Sequence, residues 1–321
     1  MTLYHLDTDM GVDDGLALVL AHRLLPGQLA VSTVFGNVPV SVATRNAMLF
    51  RELLHQTATL SVFAGADRAS DGFTRDARHI HGEDGLGGAT HSLDRSLLET
   101  ISNQRVVRLD DASPPKGSPV VLIGIGPATN IPRLVSWYGR SAISRIVLMS
   151  GTFFDFGNIT RAAEFNAYCD PFALRETLDL AIPTMLVPLD VCRKVQLSRG
   201  EMAAFKETDK SPLTNLLVTS HLHYMDAYTE WEGLDGCFPH DSVTVLAALK
   251  PELLFTLRGQ VLVECAPAER GRTTFKPTVS SHVEVVTGGE LKWAREILAS
   301  FLKGALPRSG SGSDAVPTGE T

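Results

Sequence analysis

Leu3-Tyr4-His5-Leu6-Asp7-Thr8-Asp9-Met10-Gly11-Val12-Asp13-Asp14-Gly15 lies near the start of the chain, and Leu16-Ala17-Leu18-Val19-Leu20-Ala21-His22 follows it. The first four residues read as a short strand and the last seven as an apolar helix. Four carboxylates therefore sit on a strand-to-helix turn. In an open α/β sheet that edge is where ligands bind. Side chains alternate along a strand, so Asp7 and Asp9 can point the same way off its end. No Lys or Arg lies between His5 and His22. Clustered carboxylates raise one another's pKa values unless something positive sits among them. A hard divalent cation is the natural counter-charge, because Ca²⁺ and Mg²⁺ prefer oxygen ligands. Helix capping explains one or two such acids, since Asp caps helices well and acids favour the helix N-terminus. It does not explain four, two of them on the strand side. Grouped ionisable residues of this kind mark functional sites.

Outward from this turn, short apolar runs alternate with helical patterns. The expected strands are Leu3–Leu6, Leu29–Phe35, Leu60–Phe63, Val120–Ile125, Arg145–Met149 and Thr184–Pro188. Helices are expected at Asp14–Leu25, Val40–His55, Pro127–Trp137 and Pro171–Leu180. This alternation implies an open, mostly parallel sheet covered on both faces. Residues 64–118 break the rhythm and read as a long loop with one short helix near Leu93–Ile101. Loops of that length tend to be functional. Further on, Met202–Phe205 and Leu213–Trp231 look helical, Gln260–Cys265 and Val283–Val286 look like strands, and Glu290–Leu302 looks like a last helix. Residues 1–304 are expected to form a single domain, and 305–321 a disordered low-complexity tail.

The 321 residues and 44% hydrophobic content suffice for a large core. A net charge of −7 argues against a nucleic-acid footprint and suits an enzyme of small molecules. Cys169, Cys192, Cys237 and Cys265 form no CxxC pair, so neither a zinc ribbon nor a redox motif is indicated. The N-terminal text lacks the basic and apolar regions of a signal peptide, and no apolar run is long enough to span a bilayer. A cytoplasmic location is the expectation.

Several other polar, Gly-rich segments close apolar runs: Gly36-Asn37-Val38, His81-Gly82, Gly126-Pro127 to Asn130, Gly157-Asn158 to Asn166, and His240-Asp241. In a parallel sheet all strand C-termini share one edge, so these segments can converge on the acidic turn. Together they resemble the inosine–uridine-preferring nucleoside hydrolase family, whose N-terminal signature Asp-x-Asp-x-Gly-x-Asp-Asp is matched by Asp7 to Asp14. The resemblance extends over about residues 3–303, in the family's order. It implies a doubly wound, Rossmann-like core, a tightly held Ca²⁺, and hydrolysis of ribonucleosides to ribose and free base. It also implies a small-molecule ribonucleoside as partner; a homo-oligomer, dimer or tetramer, is the expected assembly.

Carried onto this sequence, the resemblance implies that Asp9, Asp14 and Asp241 bind calcium with the Ile125 carbonyl. Asp9 would take the proton from the water held there. Asp13 and Asn166 would hold the ribose 2′- and 3′-hydroxyls, and Asn37 would support the water and ribose. Asn158 and Glu164 would bind the 5′-hydroxyl, and Phe165 would pack near the sugar. His240 would stand by the departing base, His81 would belong to the substrate site, and Asp7 would support the ligands from behind. The chemistry asks for these types. Cleavage passes through an oxocarbenium-like sugar, which favours a negative surround. A metal and a carboxylate base together make water nucleophilic. An imidazole of ordinary pKa near ~6.5 suits a leaving base that needs a proton.

Taken singly, the same residues read more plainly. Asn37, Asn158 and Asn166 are common turn formers. His240-Asp241 can cap a helix beginning near Ser242, His81 can be a loop residue, and Phe165 can be core. Only their joint occurrence in order carries the functional reading. The residues that line the base pocket stay open: His223, Tyr224, Tyr228, Trp231, Phe238, Phe153 and Phe154 are all candidates. Two alternatives also stand. One is a haloacid-dehalogenase-like phosphatase, which also begins with Asp-x-Asp but has Thr or Val where Gly11 stands here. The other is a non-catalytic, calcium-dependent ribose or nucleoside binder.

Overall fold

The computed structural model describes residues 1–304; the tail expected at 305–321 lies outside them. Among the described residues, one sheet is built from β1 (Leu3–Thr8), β2 (Gln28–Thr33), β3 (Ser61–Ala64), β4 (Val120–Gly124), β5 (Ile143–Met149), β6 (Thr184–Val187), β7 (Leu254–Val263), β8 (Thr273–Pro277) and β9 (Val283–Gly289). Its order is β3-β2-β1-β4-β5-β6-β9-β7-β8. The strands from β3 through β9 in that order are parallel, and β7 runs antiparallel to both β9 and β8. The open, mostly parallel α/β class expected from the sequence is what forms.

Alternation along the strands divides the core between two faces. Ile123 of β4 joins Leu6, Val31 and Val147 in one cluster with Leu16, Leu216, Leu246 and Leu298 of the covering helices. Leu122, one residue away, joins Leu3, Ile146 and Leu186 in the other, under Ile131, Leu134 and Leu174. The helix Val12–Leu24 is buried all round over its first ten residues, which is why its sequence lacks a polar stripe. Among the described residues, no helix is long and apolar enough to cross a membrane.

The order reverses at β1, which pairs with β2 on one side and β4 on the other. Asp7 aligns with Ser32 and Gly124 there, so the acidic turn rises from the topological switch point.

Departures from expectation are local. The stretch Pro127–Trp137 splits into a 3₁₀ turn, Ala128–Asn130, and a helix, Ile131–Tyr138, with Pro132 in its first turn. Residues 64–118 carry, besides the helix at Arg95–Ser102, short turns at Arg78–His81, Ala89–Ser92 and Leu109–Asp111. β7 starts at Leu254 rather than Gln260, and β8 was not foreseen. Much of this hairpin is exposed, so it lacks the apolar run that marks the central strands.

Candidate active site

After β1 the chain turns through Asp9, Met10 and Gly11 into the helix that starts at Val12. Met10 adopts the left-handed region, φ 40°. The turn is held by Asp14, whose Oδ1 accepts from the Thr8 hydroxyl at 2.5 Å and whose Oδ2 accepts from the Gly11 amide at 2.8 Å. Asn37, arriving from the end of β2, adds its side-chain amide to Asp14 Oδ2 at 3.0 Å and to Asp9 Oδ1 at 3.2 Å. Its backbone amide donates to Asp9 Oδ2 at 2.7 Å. The preceding residue has to be glycine, because a Cβ on Gly36 would lie 2.0 Å from that same Oδ2. Asp7 stands behind, accepting from Asn130 Nδ2 at 2.9 Å and from the Ser32 hydroxyl. Burial pushes its carboxyl up to about 7.

Asp241, at the start of the helix His240–Leu249, completes the group. Asp13, Asp14 and Asp241 each offer a carboxylate oxygen within 4.8 Å of the others, and all three are buried. Burial and then mutual repulsion push Asp13 up to about 8 and hold Asp9 and Asp241 well above the carboxylate range. Burial likewise raises Asp14. Two like charges at this separation repel by roughly 3–4 kcal/mol at an effective dielectric of about 20. With all three ionised, such pairs would rival the whole stability of a domain, about 5–15 kcal/mol, so without a counter-charge the group keeps protons. The group could hold a cation, and a hard divalent ion fits its oxygen donors. The mutually close set contains Asp13 where the sequence reading had Asp9. Asp9 lies next to Asp14 but has both oxygens engaged by Asn37.

Above the carboxylates is a cavity of about 400 Å³. One side of it is made by the segment Asn158–Asn166 and the end of β5. Asn166 Nδ2 donates to the carbonyls of Ile125 and Met149, both at 3.1 Å, which leaves its Oδ1 as an acceptor. Glu164 caps the short helix Phe165–Cys169: Oε1 accepts from the Asn166 amide at 2.6 Å, and Oε2 from Gly151 and Ala167 at 3.0 and 2.9 Å. Burial raises its carboxyl to about 7. Asn158 Oδ1 accepts from the Phe165 amide at 2.8 Å.

The other side is aromatic. His81 stacks on Tyr224 with centroids 5.1 Å apart, and its Nδ1 accepts from the Val12 amide at 3.1 Å. Burial lowers His81 to about 3, so the ring is neutral with its proton on Nε2. His240 Nε2 lies 2.9 Å from the Tyr228 hydroxyl, while its Nδ1 is buried without a partner. Trp231, 65% exposed, meets His79 edge-on at the rim.

Residues 4–296 match the model of a family described as inosine-uridine preferring nucleoside hydrolase. The chain belongs to that family. It is 34% identical over 274 residues to the pyrimidine-specific ribonucleoside hydrolase RihA of Salmonella newport (strain SL254), covering 80% of this chain and 83% of that one. Uridine nucleosidase 1 of Arabidopsis thaliana is 28% identical over 262 residues, covering 81% and 77%. The solved structure of a plant nucleoside hydrolase, PpNRh1, aligns with a TM-score of 0.78 at 25% identity, over 95% of this chain and 98% of that one. The protein is therefore an enzyme, a nucleoside hydrolase, and the phosphatase alternative falls.

In this nucleoside hydrolase, Asp13, Asn37, His81, Ile125, Asn158, Glu164, Phe165, Asn166, His240 and Asp241 all reach the cavity wall. Asp9 and Asp14 lie one layer beneath it, fully buried. Of the open aromatic candidates, Tyr224, Tyr228 and Trp231 line the cavity. Phe238 instead packs on Tyr228, His223 packs against Gly87, and Phe153 packs on Phe275. The sequence reading missed Arg75, His79 and Met149 on the wall. His79 had a usable signal, the His-x-His spacing in a polar loop. His240 is not the ordinary imidazole expected; burial lowers it to about 3.

Proposed function

We propose that this nucleoside hydrolase splits the N-glycosidic bond of ribonucleosides with Ca²⁺ and with Asp9 as the base that activates water. The observation that carries the reading is the buried carboxylate group Asp13, Asp14 and Asp241, with Asp9 beside it, under a cavity that is polar on one side and aromatic on the other. Asp9, Asp14, Asp241 and the Ile125 carbonyl would hold the ion. Bound there, a hard divalent cation supplies neutralising charge, a grip on a vicinal diol and a lowered pKa for water.

The chain's own groups do the rest. Asp13 and the Oδ1 of Asn166 accept from the 2′- and 3′-hydroxyls. Glu164 and Asn158 receive the 5′-hydroxyl; Glu164 Oε1 holds one backbone donor and has a second lone pair to offer. Phe165 lies along the sugar. Asn37 fixes Asp9 so that it meets the attacking water in one orientation, and Asp9 takes the proton. The carboxylates then oppose the positive charge that develops on the sugar. His240 with Tyr228, and His81 through its Nε2 proton, hydrogen-bond the departing base. The names of the relatives make uridine and inosine the first substrates to assay. Release of free ribose from either, abolished by a chelator and restored by Ca²⁺, is the expected result. Binding of nucleoside without ribose release would favour the non-catalytic reading.

A further inference from the structure

Arg270 lies in the turn between β7 and β8, outside the cavity wall, yet its side chain is only 9% exposed. Its Nε donates to the Tyr168 carbonyl at 2.8 Å and its Nη2 to the Cys169 carbonyl at 2.9 Å. Nη1 and Nη2 also reach the two Asp71 oxygens at 2.6 and 3.3 Å. The guanidinium stands 4.1 Å from the centroid of the Phe73 ring. The turn is pressed so close that a Cβ on Gly271, φ 76°, would lie 2.4 Å from the Tyr168 Cα.

These contacts join two segments that the site depends on. Tyr168 and Cys169 end the helix Phe165–Cys169, which carries Asn166 and Phe165 and is capped by Glu164. A helix of one turn does not hold itself, because nucleation is unfavourable. Its place is set by its ends: the Glu164 carboxylate on the first amides and the Arg270 cation on the last carbonyls. Asp170, the next residue, binds the amide and hydroxyl of Ser70 at 2.8 and 2.9 Å. From Asp71 and Phe73 the chain runs directly to Arg75, Ala77, His79 and His81 on the cavity wall.

We propose that Arg270 is a positioning residue for the sugar subsite. Its one planar fork, joined to the helix end, to Asp71 and to the Phe73 face, sets the distance between the segment Glu164–Asn166 and the loop that closes the cavity. The proposal rests on the reading that Glu164, Asn158 and Asn166 bind ribose. Lysine cannot replace this fork, because an ammonium is a point charge without paired planar donors.

The test compares uridine with 5′-deoxyuridine in steady-state assays of the full chain. Arg270→Gln and Arg270→Lys are expected to raise KM for uridine by about tenfold, to change kcat much less, and to shrink the preference for uridine over 5′-deoxyuridine by at least about fivefold. Arg270→Gln with wild-type KM and wild-type preference overturns the proposal, even if its melting temperature falls. Should Arg270→Gln not fold, Asp71→Asn keeps both carbonyl contacts and must show the same shifts, smaller; unchanged values there overturn it too. A wild-type enzyme indifferent to the 5′-hydroxyl overturns the ribose reading itself, and the proposal with it.

Discussion

Asn37 holds Asp9 at both oxygens, through its backbone amide at 2.7 Å and its side-chain amide at 3.2 Å. A carboxylate gripped in this way cannot swing, so it presents one fixed orientation to an attacking water. Asp9→Asn keeps the size and removes the proton acceptor. Turnover on uridine is expected to fall by at least roughly a hundredfold, the scale of general-base catalysis. Near-normal turnover would leave Asp9 as a structural acid.

The metal prediction follows from the repulsion among Asp13, Asp14 and Asp241. Purified protein should carry about one Ca²⁺ per chain, measured by elemental analysis. Asp14→Ala should lose it, with a far-ultraviolet spectrum close to wild type. Full occupancy in that variant would show that the ion is held elsewhere.

Diol recognition gives a substrate test. Asn166 has its amide nitrogen committed to two carbonyls, so its oxygen is the atom left for a hydroxyl. A site built around a hydroxyl rejects the analogue that lacks it, because its own polar groups stay unpaired. The ratio kcat/KM for 2′-deoxyuridine should fall below that for uridine by at least about a hundredfold. Equal rates would sink the diol reading.

Much of this was legible in the sequence, for physical reasons that differ by region. The central strands are buried on both faces, so Val120–Ile125 reads as a continuous apolar run. The acidic turn was visible because four carboxylates stand there with no Lys or Arg among them. The β7–β8 hairpin was half hidden because Phe255, Leu257 and Leu262 are exposed and its alternation serves no second core. Arg270 gave no local signal, since its partners Asp71 and Tyr168 lie far away in the chain. The shifted His240 was invisible for the same reason. Burial is a property of the packed fold, and no neighbour in sequence announces it.

Stability against pH is set in part by His221, remote in sequence from the acidic turn. Its Nδ1 donates to the Leu217 carbonyl at 2.7 Å, and its Nε2 is buried without a partner. Burial lowers its pKa from 6.5 to about 4. The unfolded chain therefore binds a proton that the folded chain refuses between those values. Stability from this group is complete above pH 6.5 and is lost as pH falls toward 4, by on the order of 3 kcal/mol. His221→Gln should narrow the gap between urea midpoints at pH 7 and pH 4.5. An identical gap in variant and wild type would contradict this assignment.

The leaving group separates two roles for His240. Its Nε2 lies 2.9 Å from the Tyr228 hydroxyl, and the pair stands on the cavity wall beside Asp241. If the pair assists the departing base, His240→Ala should slow uridine hydrolysis by roughly a hundredfold or more. It should barely affect a p-nitrophenyl riboside, because nitrophenolate leaves without a proton. Tyr228→Phe should show the same selectivity, weakened, since the imidazole keeps its own N–H. The rival role is mechanical: His240 packs next to Asp241 and keeps that carboxylate in place. In that case both substrates lose rate alike, and calcium affinity falls with them. Equal losses on the two substrates would therefore remove His240 from hydrogen-bonding the departing base and leave it as a support for Asp241.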